Sequence, residues 1–152
     1  VNETVAPWVR IGVFVVLAVP QLLVGLWALA ATRNWYERFP GAGPDLVAAI
    51  PPFNEHLAAD AGGGFFATGV ALALATVWPR RDLVLLALAT YAAFTAPHVL
   101  YHALNEAPGL SAAEDIYNTG LLGVSLVFAL VFAWAVWRQP GPSTAEGRPA
   151  SG

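Results

Sequence analysis

The sequence predicts an all-α, polytopic membrane protein, with four transmembrane helices packed as an antiparallel bundle. Three observations predict it. Charged residues make up only 11% of the 152 residues, against 57% hydrophobic, whereas soluble domains carry about 25% charged residues. Four runs, 11–31, 57–78, 83–104 and 116–137, are nearly free of charge, and each reaches the roughly 20 residues a helix needs to cross about 30 Å of hydrocarbon. The runs are continuous and rich in Ala and Leu rather than alternating, which favours helices over strands. Together they make residues 1–137 one transmembrane domain. Residues 138–152, rich in Pro, Gly and Ser, are expected to form a disordered cytoplasmic tail.

The first run follows Arg10 and carries Pro20 and Gln21 at its middle. Pro20 removes an intrahelical hydrogen bond and is expected to kink the helix. Gln21 should face another helix, because an amide in lipid lacks partners; it either bonds a neighbouring span or touches a ligand. Ala28-Leu29-Ala30 has the small-residue pattern of a signal-peptidase site. The apolar run before it is longer than a signal h-region, so the segment is read as a retained helix.

Residues 32–56 form a long outer loop. Trp35, Tyr36 and Phe39 fit an interfacial aromatic belt. Pro40, Gly41, Gly43, Pro44, Pro51 and Pro52 prevent a long helix there. A loop of this length in so small a domain is expected to act as a lid. In the second run, Gly62, Gly63 and Gly64 weaken the helix unless close packing rewards them. Asp60, Gly64 and Thr68 fall on one stripe, the face expected to turn inward. Pro79-Arg80-Arg81 makes a tight turn that forces the second and third helices to be antiparallel neighbours. Tyr91, Thr95, His98 and His102 share one face of the third run. Ser111 and Glu114 form a capping box ahead of the fourth, where Gly120 and Gly123 invite close approach of a neighbour.

Every basic residue is Arg. Arg10, Arg80, Arg81, Arg138 and Arg148 lie on one side of the four runs, and Arg33 and Arg38 on the other. The positive-inside rule therefore places both termini in the cytoplasm, with the plasma membrane as the expected location. Cys and Met are both absent, which removes thiolate chemistry and Met-lined copper sites. Without Lys, Schiff-base catalysis is excluded. There is no phosphate loop, nucleophile elbow or HExxH motif, and no basic surface for nucleic acid. The expected partners are therefore the lipid bilayer and either other membrane subunits or further copies of the chain.

The candidate site comes from topology. The start of the second helix, the end of the third and the start of the fourth share one side. His56, His102 and Asp115 are expected in an outer layer, and Asp60, His98 and Asn118 one turn deeper. Ionisable groups at that depth usually face the bundle interior or a water-filled cavity. The candidate binding residues are thus His56, Asp60, His98, His102 and Asn118. His56, Asp60, His98 and His102 are also candidate metal ligands, since imidazoles with one carboxylate suit a divalent transition metal. Haem b, held by His56 or His98, is the lesser cofactor alternative. Against these stands a purely structural polar cluster. Asp60 would then pair with a neighbouring His or with Arg33 or Arg38.

Two segments, 35–41 (WYERFPG) leading to 51–57 (PPFNEHL), and 97–102 (PHVLYH), resemble small actinobacterial four-helix membrane proteins, broadly of the DoxX type. The resemblance implies a four-helix fold and, through some DoxX-type proteins, an association with quinone-linked oxidation. This chain has no Cys for thiol chemistry. The functional expectation is an outward-facing His/Asp pocket binding a small ligand or transition metal, with possible redox service. The alternatives are a non-catalytic accessory subunit, and an intramembrane acid–base enzyme using His98 and Asp60.

Overall fold

The computed structural model describes residues 4–139. The expected disordered tail beyond Gln139 lies outside the described residues. The chain is 77% helix, without strands among the described residues. Four helices are long and apolar enough to cross a membrane: Pro7–Ala30, Glu55–Val77, Arg81–Leu104 and Ala112–Arg138. They are called here the first to fourth spans. All four begin two to four residues before the apolar runs, and in the last three polar residues help to build the first turn. Asn54 caps the second span by accepting from the Leu57 backbone N–H at 3.1 Å, an ordinary role for Asn at a helix start. The expected capping box forms, with Ser111 and Glu114 each bonding the other's backbone N–H.

Pro20 does not act alone in the first span. The six residues Val13–Ala18 just before it are π-helical, and the Val19 N–H reaches back to the Phe14 carbonyl. A proline lacks an N–H, and its ring crowds the carbonyl four residues earlier. The wider turn moves that carbonyl aside and re-registers the helix, a common accommodation in membrane spans.

The first and second spans pack through glycines. A Cβ on Gly25 would stand 2.4 Å from the Phe66 backbone nitrogen, one on Gly69 2.8 Å from the Leu22 nitrogen, and one on Gly62 2.8 Å from the Ala28 Cβ. Only hydrogen fits there, so the two backbones approach closely and gain dispersion contacts without a hydrophobic driving force. This is the reward that the glycine-rich second helix requires. Gly64 lies against Phe94 of the third span. Gly120 and Gly123 do not follow the expectation, since nothing lies within 4 Å of a Cβ on either. No described residue approaches that face of the fourth span.

The bundle has two unlike halves. In the half carrying the termini, Val9, Val13, Leu17, Leu72, Leu88 and Val136 are fully buried in one core with Phe132 and Tyr91. The turn between the second and third spans is tied to both ends of the chain. The Val5 N–H donates to the Pro79 carbonyl at 2.8 Å, and Arg81 donates to the Trp137 carbonyl at 2.7 Å. Arg80 pairs with Asp82 at 2.6 Å, which holds the exposed guanidinium above its usual pKa through that hydrogen bond and the carboxylate charge. Arg10 donates twice to the Thr76 carbonyl, at 3.2 and 3.0 Å.

In the other half, the first span packs on the second and the fourth on the third. The fourth span meets the first through the Pro7–Ala18 stretch, in the terminal half. Beyond Ala18 the spans enclose a cavity.

Candidate functional site

That cavity has a volume of about 740 Å³, within the range of small-molecule pockets. Each span contributes a short stretch of wall: Val16 to Val24 from the first, Leu57 to Phe65 from the second, Tyr91 to His102 from the third and Asn118 to Ser125 from the fourth. No Asp, Glu, Lys or Arg among the described residues lines it. The walls are mainly aliphatic and aromatic, with Phe65 and Phe94 edge-on at 5.2 Å.

The long loop roofs this space, as the lid expectation holds. A seven-residue helix, Thr32–Arg38, turns Trp35 inward, where it is 5% exposed. Trp35 lies edge-on to Phe65 at 6.4 Å and tilted against Phe39 at 6.0 Å. The helix ends at the extended Phe39, and Gly41 and Gly43, at φ +92° and +90°, supply the positive-φ backbone that turns the chain back. Leu46 and Ala49 are buried beyond them. The Gly109 N–H then donates to the Ala49 carbonyl at 3.0 Å, fastening the lid to the loop between the third and fourth spans.

The polar groups of the cavity gather on the third and fourth spans. His98 and His102 stack in a tilted pair with ring centroids 5.0 Å apart. Phe65 lies 6.1 Å from the His98 ring. The Asn118 amide donates to the His102 Nδ1 at 3.3 Å. An amide nitrogen can only donate, so in a neutral His102 the proton sits on Nε2, free to donate to something else. Among the described residues, His98 has no hydrogen-bond partner. Asp115, one turn before Asn118, has a buried and unpartnered Oδ1. Across the cavity, the Gln21 Oε1 is likewise buried without a partner, as is the indole N–H of Trp35 in the lid. Gln21 thus lines the cavity, and its carbonyl oxygen bonds no neighbouring span.

The five sequence candidates therefore divide. His98, His102 and Asn118 come together on the cavity wall, and Asn118 is 7% exposed. His56 and Asp60 do not join them, which corrects the expectation that Asp60 points inward beside His98. They pair with each other at 3.4 Å on the flank of the second span, with side chains 83% and 64% exposed. The reason is helical phase. Gly62 and Gly69 must face the first span, and at about 100° per residue Asp60 lies nearly opposite them. Of the expected inward stripe, Gly64 and Thr68 hold and Asp60 does not. Neither Arg33 nor Arg38 reaches Asp60. Arg33 bonds Glu37 at 3.5 Å and lies 4.4 Å above the Phe53 ring.

Consequently His56, Asp60, His98 and His102 form two separate pairs. Among the described residues, no three His, Asp or Glu side chains form a group that could hold a metal. A haem held between His56 and His98 meets the same obstacle, because His56 faces away from the cavity. Sequence reasoning assigned Trp35 to the interfacial belt and to the packing of the lid, and the structure makes it the buried centre of the lid. The aromatic spacing of Trp35 and Phe39, one helical turn apart, was the available signal. No family model, curated protein or solved structure matches the chain, so the geometry of the cavity carries the functional reading.

Proposed function

We propose that this chain is a multi-pass cell-membrane protein that binds a small, mostly apolar molecule in the loop-side cavity. His98, His102 and Asn118 hold its polar end. The observation that carries this is a cavity of about 740 Å³ with uncharged walls, in which buried polar atoms of Gln21 and Trp35 lack partners. Natural interiors leave few such orphans, and a ligand or ordered water would satisfy them. The cavity supports the binding step. Metal binding by the four expected ligands is the weaker reading, because they stand in two pairs.

The test is organic extraction and mass spectrometry of the protein purified in mild detergent. Wild type should carry a stoichiometric small molecule. Ala61→Phe or Leu122→Phe, each filling the cavity from a different wall, should lose it while remaining folded. Equal loading of wild type and both variants would sink the proposal.

The arginine distribution supports both termini in the cytoplasm, which makes the lid extracytoplasmic. Cysteines placed at Ala42 and Ser143 of this Cys-free chain should then label from opposite sides with an impermeant thiol reagent. A second reading, an accessory subunit of a larger membrane complex, draws on Gly120 and Gly123, whose face is open to a neighbouring helix. Co-purification of a fixed partner that shields Gly123→Cys from modification would favour it.

A further inference from the structure

We infer that the cavity is loaded sideways from the bilayer, and that its ligand is a neutral, chain-bearing alcohol or ketone. This rests on the binding reading above and adds a route and a ligand class to it. Three observations converge.

The first is the closed roof. On the loop side, Trp35 is buried against Phe65, and the lid is bonded to the third loop through Ala49 and Gly109. A water-borne ligand would have to lift this aromatic cover. The second is the gap between the first and fourth spans. Beyond Ala18 each packs on its own neighbour, the first on the second and the fourth on the third. Pro20 and Leu121 line the cavity from opposite sides of that gap, yet both remain exposed. They are wall and doorpost at once. In a membrane that exposure faces hydrocarbon, so an apolar chain can lie through the gap without entering water.

The third observation is the chemistry of the wall. No Asp, Glu, Lys or Arg lines it. An ionised head group would lose its hydration and find no counter-charge, a cost of several kcal/mol in such surroundings. A hydroxyl or carbonyl suits what is present. The His102 Nε2–H and the unbonded His98 ring can serve a carbonyl or hydroxyl oxygen, and the buried Gln21 Oε1 can accept from a hydroxyl. The head group would sit against His98 and His102. The chain would leave past Pro20 and Leu121.

Photo-crosslinking in phosphatidylcholine nanodiscs tests this with two probes, a diazirine-bearing hexadecanol and the corresponding alkyl sulfate, which stays anionic. The alcohol should label cavity residues of the first and fourth spans. The sulfate should label them more than about tenfold less, as expected from the cost of burying an unpaired charge. Leu121→Trp, which narrows the gap, should slow labelling by the alcohol more than about tenfold, and Pro20→Trp repeats the test from the other side. Gly109→Pro, which removes the N–H that fastens the lid, should leave the rate unchanged. Equal labelling by the sulfate overturns the neutral-ligand claim. A lid variant that accelerates labelling while both gap variants leave it unchanged overturns the sideways route. If the wild type carries an extractable molecule but neither probe enters, the ligand class is wrong and the binding reading stands. If it carries none and neither probe enters, both fall.

Discussion

In the half of the bundle that carries the termini, all four spans meet around Leu72, Leu88 and Val136, each fully buried. In the half that carries the long loop, the first and fourth spans part and leave about 740 Å³ open. The loop half is the more polar, since it holds all three histidines with Asp60, Asp115 and Asn118. What shapes its packing is where small residues and the proline stand. Gly25, Gly62 and Gly69 draw the first span onto the second in the loop half, and the π-helical stretch before Pro20 re-registers the first span as it leaves the shared core. The fourth span meets a first-span glycine in the terminal half, where Phe132 lies against Gly12, and in the loop half it stays with the third. A seam on one side thus produces a gap on the other.

The largest expected effect comes from cutting the same residue type out of each half. Leu88→Ala should destabilise the protein by about 2–5 kcal/mol, because a tight core cannot collapse around the missing methyls. Leu122→Ala, on the cavity wall, should cost less than about 1 kcal/mol, since that side chain already has open space beside it. Denaturant unfolding in a fixed detergent measures both. Equal costs would mean that the loop half closes in solution, and the contrast between the halves would be lost.

Filling the cavity sharpens the comparison from the other direction. Ser125→Leu places apolar volume against the wall where Ser125 only bonds its own helix at the Leu122 carbonyl. It should hold or raise stability by up to about 1 kcal/mol and remove the bound molecule. A stability gain with loss of ligand is the signature of a space kept open for binding. Loss of stability would show the space to be too narrow to fill.

Much of this was legible in the sequence. Length and hydropathy give the spans, Ser111 and Glu114 give a helix start, and the four-residue spacing of His98 and His102 puts both rings on one face. The hollow was not legible, because it depends on which spans touch at each level. Asp60 shows why. Its neighbours Gly64 and Thr68 do face inward, so the stripe reading was sound for two of three positions. The azimuth of the second span is set by Gly62 and Gly69 docking on Ala28 and Leu22, partners more than thirty residues away that no local pattern reveals. The lid was legible as a loop with aromatics, but the burial of Trp35 depends on Phe65 standing beneath it.

A smaller effect is expected inside the site. Asn118→Leu removes the only hydrogen bond found to His102 among the described residues. It should cost about 1 kcal/mol, the usual net worth of such a bond, and weaken binding of a carbonyl- or hydroxyl-bearing probe by freeing the His102 ring to turn. Thermal unfolding and probe titration on one sample separate the two consequences. Unchanged binding would confine recognition to His98 and Gln21.

The smallest effect should come from the pair that the sequence placed in the site and the structure places outside it. His56 and Asp60 form an exposed i,i+4 contact at 3.4 Å, and such pairs contribute less than about 0.5 kcal/mol. His56→Ala and Asp60→Asn should therefore leave stability, cavity loading and probe labelling near wild-type values. The distinction is sharp, because the same substitutions would abolish any site that used all four original ligands. Zinc titration of wild type and both variants, read by calorimetry, adds the complementary measurement. Tight stoichiometric zinc binding lost in His56→Ala and in His98→Ala alike would require the second span to rotate Asp60 toward the third. That rotation would pull Gly62 and Gly69 off the first span, so it should also appear as lost protection of the Ala28–Gly62 contact in cysteine cross-linking. Metal binding without that loss would break the argument from helical phase, and with it the separation of flank from cavity.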